Sequence, residues 1–161
     1  MYDFHLMATR LTATQDRHYR KEYVREVKAC TARFDAMKKN GKTALLIDAW
    51  NITSKSVSTR LRLTPRELNT ILRAPRDVDI RNPAKAIEHP EAPEILCRIG
   101  MLSRSTDALT ALLGGNNPDF VARWPRRRNH HALFGGQRPL MLLKYGHSKE
   151  MTVLMHHLMN V

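Results

Sequence analysis

Between Pro93 and Leu113 the residues Ile95, Ile99, Leu102, Thr106, Leu109 and Leu113 recur at spacings of 4, 3, 4, 3 and 4. This is the period of one helical face and not of a strand, and Leu96 and Leu112 widen the stripe. The run is too short for a coiled coil, so the pattern predicts a core helix that other helices must cover. It also offers a surface through which two copies could pair.

The remaining segments extend the same pattern. From about Thr14 to Met37, with no Pro or Gly, Tyr19, Tyr23, Val27, Cys30, Phe34 and Met37 form a second stripe, ended by Asn40-Gly41. A further helix is expected from Thr43 to about Lys55, burying Leu45, Leu46 and Trp50. Thr64, Pro65 and Glu67 have the order of a capping box with proline at the first helical position, which predicts a helix stopping near Arg73-Ala74.

Residues 75–93 hold Pro75, Pro83, Pro90 and Pro93 in a polar stretch. They read as a connection lying on the surface, with at most one helical turn around Ala84–Glu88. Beyond the long helix, Gly114-Gly115 is a stop and Asn117-Pro118-Asp119 opens a short helix whose buried side is Phe120, Val121 and Trp124. Pro139 opens a helix closed by Gly146, and Ser148 caps the last, with Met151, Leu154, Met155 and Leu158 facing inward. No alternating pattern of any length intervenes. The expected fold is all-α, in three parts: a basic helical extension over 1–42, a helical region over 43–92 with a possible helix-turn-helix, and a small helical domain over 93–161.

Charge narrows the partners. The net charge of +12 attracts polyanions or an acidic protein face. The excess of Lys and Arg over acids is five in 1–42, three in 43–90 and four in 91–161, so no detached basic tail carries it. Cys30 and Cys97 are far apart in sequence, with neither zinc nor disulfide-framework spacing, and a reducing cytoplasm is the expected location. No run approaches the ~20 apolar residues of a membrane span. The adjacent pairs His130-His131 and His156-His157 lack metal-ligand partners and read as surface or cap histidines. The glycine pairs lack phosphate-loop endings. No nucleophile–base pair or paired carboxylates stand out, so neither catalysis nor a cofactor is expected.

One segment is more specific. Pro125-Arg126-Arg127-Arg128-Asn129-His130-His131 joins two short helices and reads as an exposed loop displaying three guanidiniums; Gly135-Gly136 then permits a tight turn. Leu113-Gly114, Trp124, Asn129, Leu133, Gly135-Gly136, Pro139, Leu142 and Gly146 together resemble the C-terminal toxin-binding domain of MbcA/ParS/Xre-type antitoxins over about 50 residues. Phe134, between Leu133 and Gly135, is a small departure from that pattern.

The resemblance implies a binder and not an enzyme. Its partner would be a RES-type toxin that consumes NAD, and the domain would cover the entrance to the toxin's pocket. The implied contacts are Arg126, Arg127, Arg128, Asn129, Gly135, Gly136, Arg138 and the tail His157, Met159, Asn160 and Val161. The family's upstream helix-turn-helix binds operator DNA. Here Thr64–Arg73 would be its first helix and Asp77–Lys85 its recognition helix, with Arg60, Arg62, Arg66, Arg73, Arg76 and Arg81 as candidate phosphate contacts. Assembly as a homodimer or hetero-oligomer is expected. The alternatives are a DNA-binding regulator, or an adaptor that uses the antitoxin domain against another protein.

Overall fold

The computed structural model describes residues 10–113 and 117–161, and among these the chain is all-α. The elements are α1 (Ala13–Lys39), α2 (Thr43–Leu61), α3 (Pro65–Leu72), α4 (Pro83–Ala86), α5 (Ala92–Leu112), α6 (Pro118–Arg123), α7 (Pro139–Tyr145) and α8 (Lys149–Met159). A 3-10 turn over Trp124–Arg126 follows α6. The expected stop at Gly114-Gly115 lies outside the described residues. No helix among the described residues is long and apolar enough to cross a membrane.

The stripe at 95–113 is the axis of the molecule. Ile95, Ile99, Leu102, Thr106 and Leu109 are buried, and α5 is packed against α1, α2 and α8. Met101 and Cys97 are buried as well, so α5 is covered on more than the one face its periodicity marks. The three segments divided at residues 42 and 92 share a single hydrophobic core.

Local signals start and stop the helices as the side chains dictate. The Thr64 hydroxyl accepts from the Glu67 amide while the Glu67 carboxylate accepts from the Thr64 amide. Thr12 and Gln15 form the same reciprocal cap at the start of α1, a signal present in the sequence and one residue earlier than the expected boundary. α2 runs six residues past Lys55, because nothing before Arg62 interrupts it. Arg62 stops α2 and Arg73 stops α3, each in the left-handed conformation at φ 50° and 53°.

Several expectations are corrected. Leu45 is 55% exposed, since Leu46 and Trp50 take the inward face of α2. Phe120 is 48% exposed; in so short a helix Val121 and Ala122 fill the inward positions. Asn117 and Ser148 occupy cap positions but make no side-chain cap bond. The 75–93 connection is not merely laid on the surface, because Val78, Ile80, Ala86 and Ile87 are buried in the core. Its anchor is fully buried Trp50, whose indole N–H donates to the Ile80 carbonyl at 3.0 Å. The span expected to form a recognition helix holds no helix before Pro83, and α4 is only four residues long. Aspartate, asparagine and proline at 77–83 favour turns, and the buried Val78 and Ile80 lock those turns down.

The Trp50–Ile80 bond fixes a long segment with little regular structure of its own. Replacing Trp50 with Phe keeps most of the apolar volume but leaves the buried Ile80 carbonyl without its donor, which costs about 1–3 kcal/mol. Urea denaturation should register that loss, and limited proteolysis should show 75–82 as the first region cut.

Candidate functional site

The loop between α6 and α7 is built around one arginine whose guanidinium is engaged within the fold. Arg126 turns inward from the 3-10 turn. Its guanidinium donates to the Leu61 carbonyl at 2.7 Å, the Arg62 carbonyl at 2.9 Å and the Ala122 carbonyl at 3.2 Å, and reaches Glu67 at 3.3 Å. A helix ending at Leu61 leaves its last carbonyls without partners, and Arg126 satisfies two of these and so ties the loop to α2 and α3. The expectation of three displayed guanidiniums is therefore corrected: Arg127 and Arg128 are exposed, and Arg126 is the clamp that holds them.

Downstream, the chain doubles back. The Asn129 amide donates to the Gln137 carbonyl at 3.0 Å, and the Gly136 amide donates to the Asn129 carbonyl at 2.9 Å. The Asn129 side-chain oxygen accepts from the His131 amide at 2.9 Å, which tightens the same turn. Gly135 and Gly136 have φ of 56° and 81°. At Gly135 the positive φ is what disfavours a side chain; a Cβ there would also displace the exposed Arg10 side chain, which lies against the glycine. Arg10 also donates its backbone amide to the Leu133 carbonyl at 2.8 Å, so a residue preceding α1 covers one side of the loop.

Phe134, the departure from the antitoxin pattern, is the loop's anchor. It is 1% exposed and meets Trp124 edge-on at 6.0 Å. On its other side lies His157 of α8 at 5.2 Å, and His131 and His157 are 4.7 Å apart. The loop and the end of α8 are thereby one surface. Arg127, Arg128, Arg138, Met159, Asn160 and Val161 are exposed on these two segments, whereas Gly135, Gly136 and Asn129 are half-buried and shape the turn.

The arginines singled out for phosphate contact are mostly engaged within the molecule. Arg60 pairs with Asp107 and also donates to Thr110; Arg62 pairs with Asp119; Arg81 pairs with Asp79. Arg73 donates to the Gly146 carbonyl, joining α3 to the end of α7. Arg66 and Arg76 are exposed. Over the Asp77–Lys85 span beside them the only helix is the four-residue α4.

Sequence reasoning missed a partly buried polar network at the start of α8. Arg98, 4% exposed, donates to Glu94 at 2.8 Å and to the Ser148 hydroxyl at 3.0 Å, and Tyr23 donates to the same Glu94 oxygen at 2.6 Å. Burial by itself would raise the Glu94 carboxyl, but the hydrogen bonds from Tyr23 and Arg98 hold it below the usual range. Burial pushes the Tyr23 phenol above its ordinary value. Beside them Lys149 bridges Asp16 at 3.0 Å and Glu150 at 2.7 Å. The signal was weak, because a charged residue on an amphipathic helix looks like an ordinary solvated position.

Cys30 and Cys97, distant in sequence, line one apolar groove of about 310 Å³ between α1, α2 and α5, and both are free thiols. Burial, and next the Cys30 thiol, raise the Cys97 thiol above its ordinary range. Among the described residues no group of three or more His, Cys, Asp or Glu is placed to hold a metal ion. Comparison of the chain with protein-family models, curated proteins and solved structures finds no match.

His157 makes the loop–tail surface sensitive to acid. Burial, and then the neighbouring His131, lower its pKa below the ordinary value of about 6.5. The fold thus prefers the neutral ring. Its contribution is complete above about pH 6.5 and is lost as the pH falls from there through the lowered folded value. Thermal denaturation between pH 7.5 and 5 should show this decline, and His157→Leu should flatten it.

Proposed function

We propose that the chain is an antitoxin-like binding protein that blocks a RES-type, NAD-consuming toxin by covering the entrance to its active site. The carrying observation is that Phe134 and His131 pack on His157, which sets the arginine-bearing loop and the C-terminal residues side by side on one firm surface. A preorganised surface of this kind loses little conformational freedom on association. The resemblance of the 113–146 segment to antitoxin domains supplies the partner class.

In this reading Arg127, Arg128 and Arg138 steer the surface toward a pocket that accepts a pyrophosphate, where acidic rims or bound phosphate offer complementary charge. Met159 and Val161, 57% and 76% exposed, are the apolar anchors that lose their water on docking. Gly135, Gly136 and Asn129 act indirectly by setting the loop's path, and Arg126 by fastening it. Operator binding through a helix-turn-helix receives no support from the 77–85 segment, whose one helix, α4, is four residues long.

The test must keep α8 through Leu158, because Met151, Val153, Leu154, Met155 and Leu158 are core residues and a truncation after Gly146 would remove them. Deleting only 159–161, or converting Arg127 and Arg128 to Ala, should leave the melting temperature unchanged. Each should weaken inhibition of a co-expressed RES-type NAD glycohydrolase at least tenfold. Undiminished inhibition by the combined variant would sink the proposal.

A further inference from the structure

The molecule's cations divide into those held by acids and those left in water. Arg60, Arg62, Arg81, Arg98, Arg104, Arg126 and Lys149 each pair with a carboxylate. On the outer face of α1 the balance differs. Arg17, Lys21 and Lys28 are exposed and have no ion-pair partner among the described residues. Arg20 and Arg25 flank them at 53% and 71% side-chain exposure, while their partners Asp16 and Glu22 are at 31% and 14%, drawn back toward the core side. Glu26 is likewise turned away, toward Arg104.

Geometry makes this a surface and not a scatter of charges. Arg17, Lys21 and Lys28 are separated by four and seven residues, so they lie in one row along about 16 Å of helix. Arg20, Lys21, Arg25 and Lys28 surround Val24, 54% exposed, in a shallow depression of about 440 Å³. Asp35 ends the row toward the C-terminal end of the helix.

We propose that this face of α1 binds the phosphate backbone of nucleic acid without reading its sequence. A row of cations spaced along one helix suits a polymer whose charges repeat at short regular intervals. A lipid surface is disfavoured, because the apolar stripe of α1 (Tyr23, Phe34) is buried in the core and Val24 alone in this depression is left for insertion. The inference goes beyond the toxin-blocking role: it uses none of the loop and tail residues, and it holds or fails independently of them.

The experiment is fluorescence anisotropy of the full chain with a labelled 20-base-pair duplex and a 20-nucleotide single strand of unrelated sequence, from 50 to 200 mM salt. Four to five engaged cations give a duplex slope of log K against log salt near −4, a loss of roughly 10²-fold over that range. The double variant Lys21→Gln/Lys28→Gln should flatten the slope by about 2 with no change in melting temperature. The control Arg76→Gln/Lys85→Gln removes the same charge from the 75–87 connection and should leave the slope unchanged. An equal effect of the control would reduce the binding to diffuse attraction and overturn the proposal. Competition by polyglutamate as strong as by duplex, charge for charge, would overturn the assignment to nucleic acid.

Discussion

The last helix enters the core with two charges at its first turn, and most of the architecture follows from how they are neutralised. Lys149 and Glu150 are 3% and 1% exposed. An unpaired ion at that depth costs several kcal/mol, so α8 can sit where it does only if partners meet it there. Glu150 and Asp16 bracket the Lys149 ammonium, and Arg98 from α5 holds the Ser148 hydroxyl just ahead of it. Lys149 with Asp16, and Arg98 with Tyr23 through Glu94, bind α8 and α5 to α1. Apolar contacts alone would let α8 slide along α5, because one leucine position resembles the next. Directional bonds to Ser148 and Lys149 set its register.

That register places His157 two turns further on, against Phe134, and so fixes where the chain ends relative to the loop. The loop is held independently from its other end, since Arg126 fills the carbonyls that α2 leaves open. A segment fastened at both ends, with left-handed glycines at its bend, keeps Arg127, Arg128 and Arg138 in position without a partner present. The candidate site is thus a consequence of a capping problem at the end of α2 and of buried charges to be neutralised at the start of α8.

The two arginines in left-handed conformations belong to the same economy. Arg62 and Arg73 each stop a helix at a position where glycine is the usual choice. Their side chains then bridge to Asp119 and to the Gly146 carbonyl. A glycine would adopt the backbone angle more readily and lose the bridge. Positive charge in the middle of this chain is therefore structural in large part. The cations of α1 differ because the helix buries its opposite side, and Asp16, Glu22 and Glu26 incline toward that side.

The sequence by itself determined the helical character of the chain, the stripes of α1 and α5, the capping box of α3, and the proline and glycine boundaries of α7, because these depend on residues within one or two turns. The exposure of Arg127 and Arg128 was legible for the same reason: a short polar loop has nowhere to put them. Only the tertiary structure decided that Arg126 turns inward and that Val78 and Ile80 reach Trp50. It likewise decided that Phe134, an apparent irregularity, anchors the loop, and that Lys149 and Glu150 are buried. In each case the partner lies at a distance in sequence with no fixed spacing. Burying a polar group depends on finding that partner, so the outcome is decided when the helices pack.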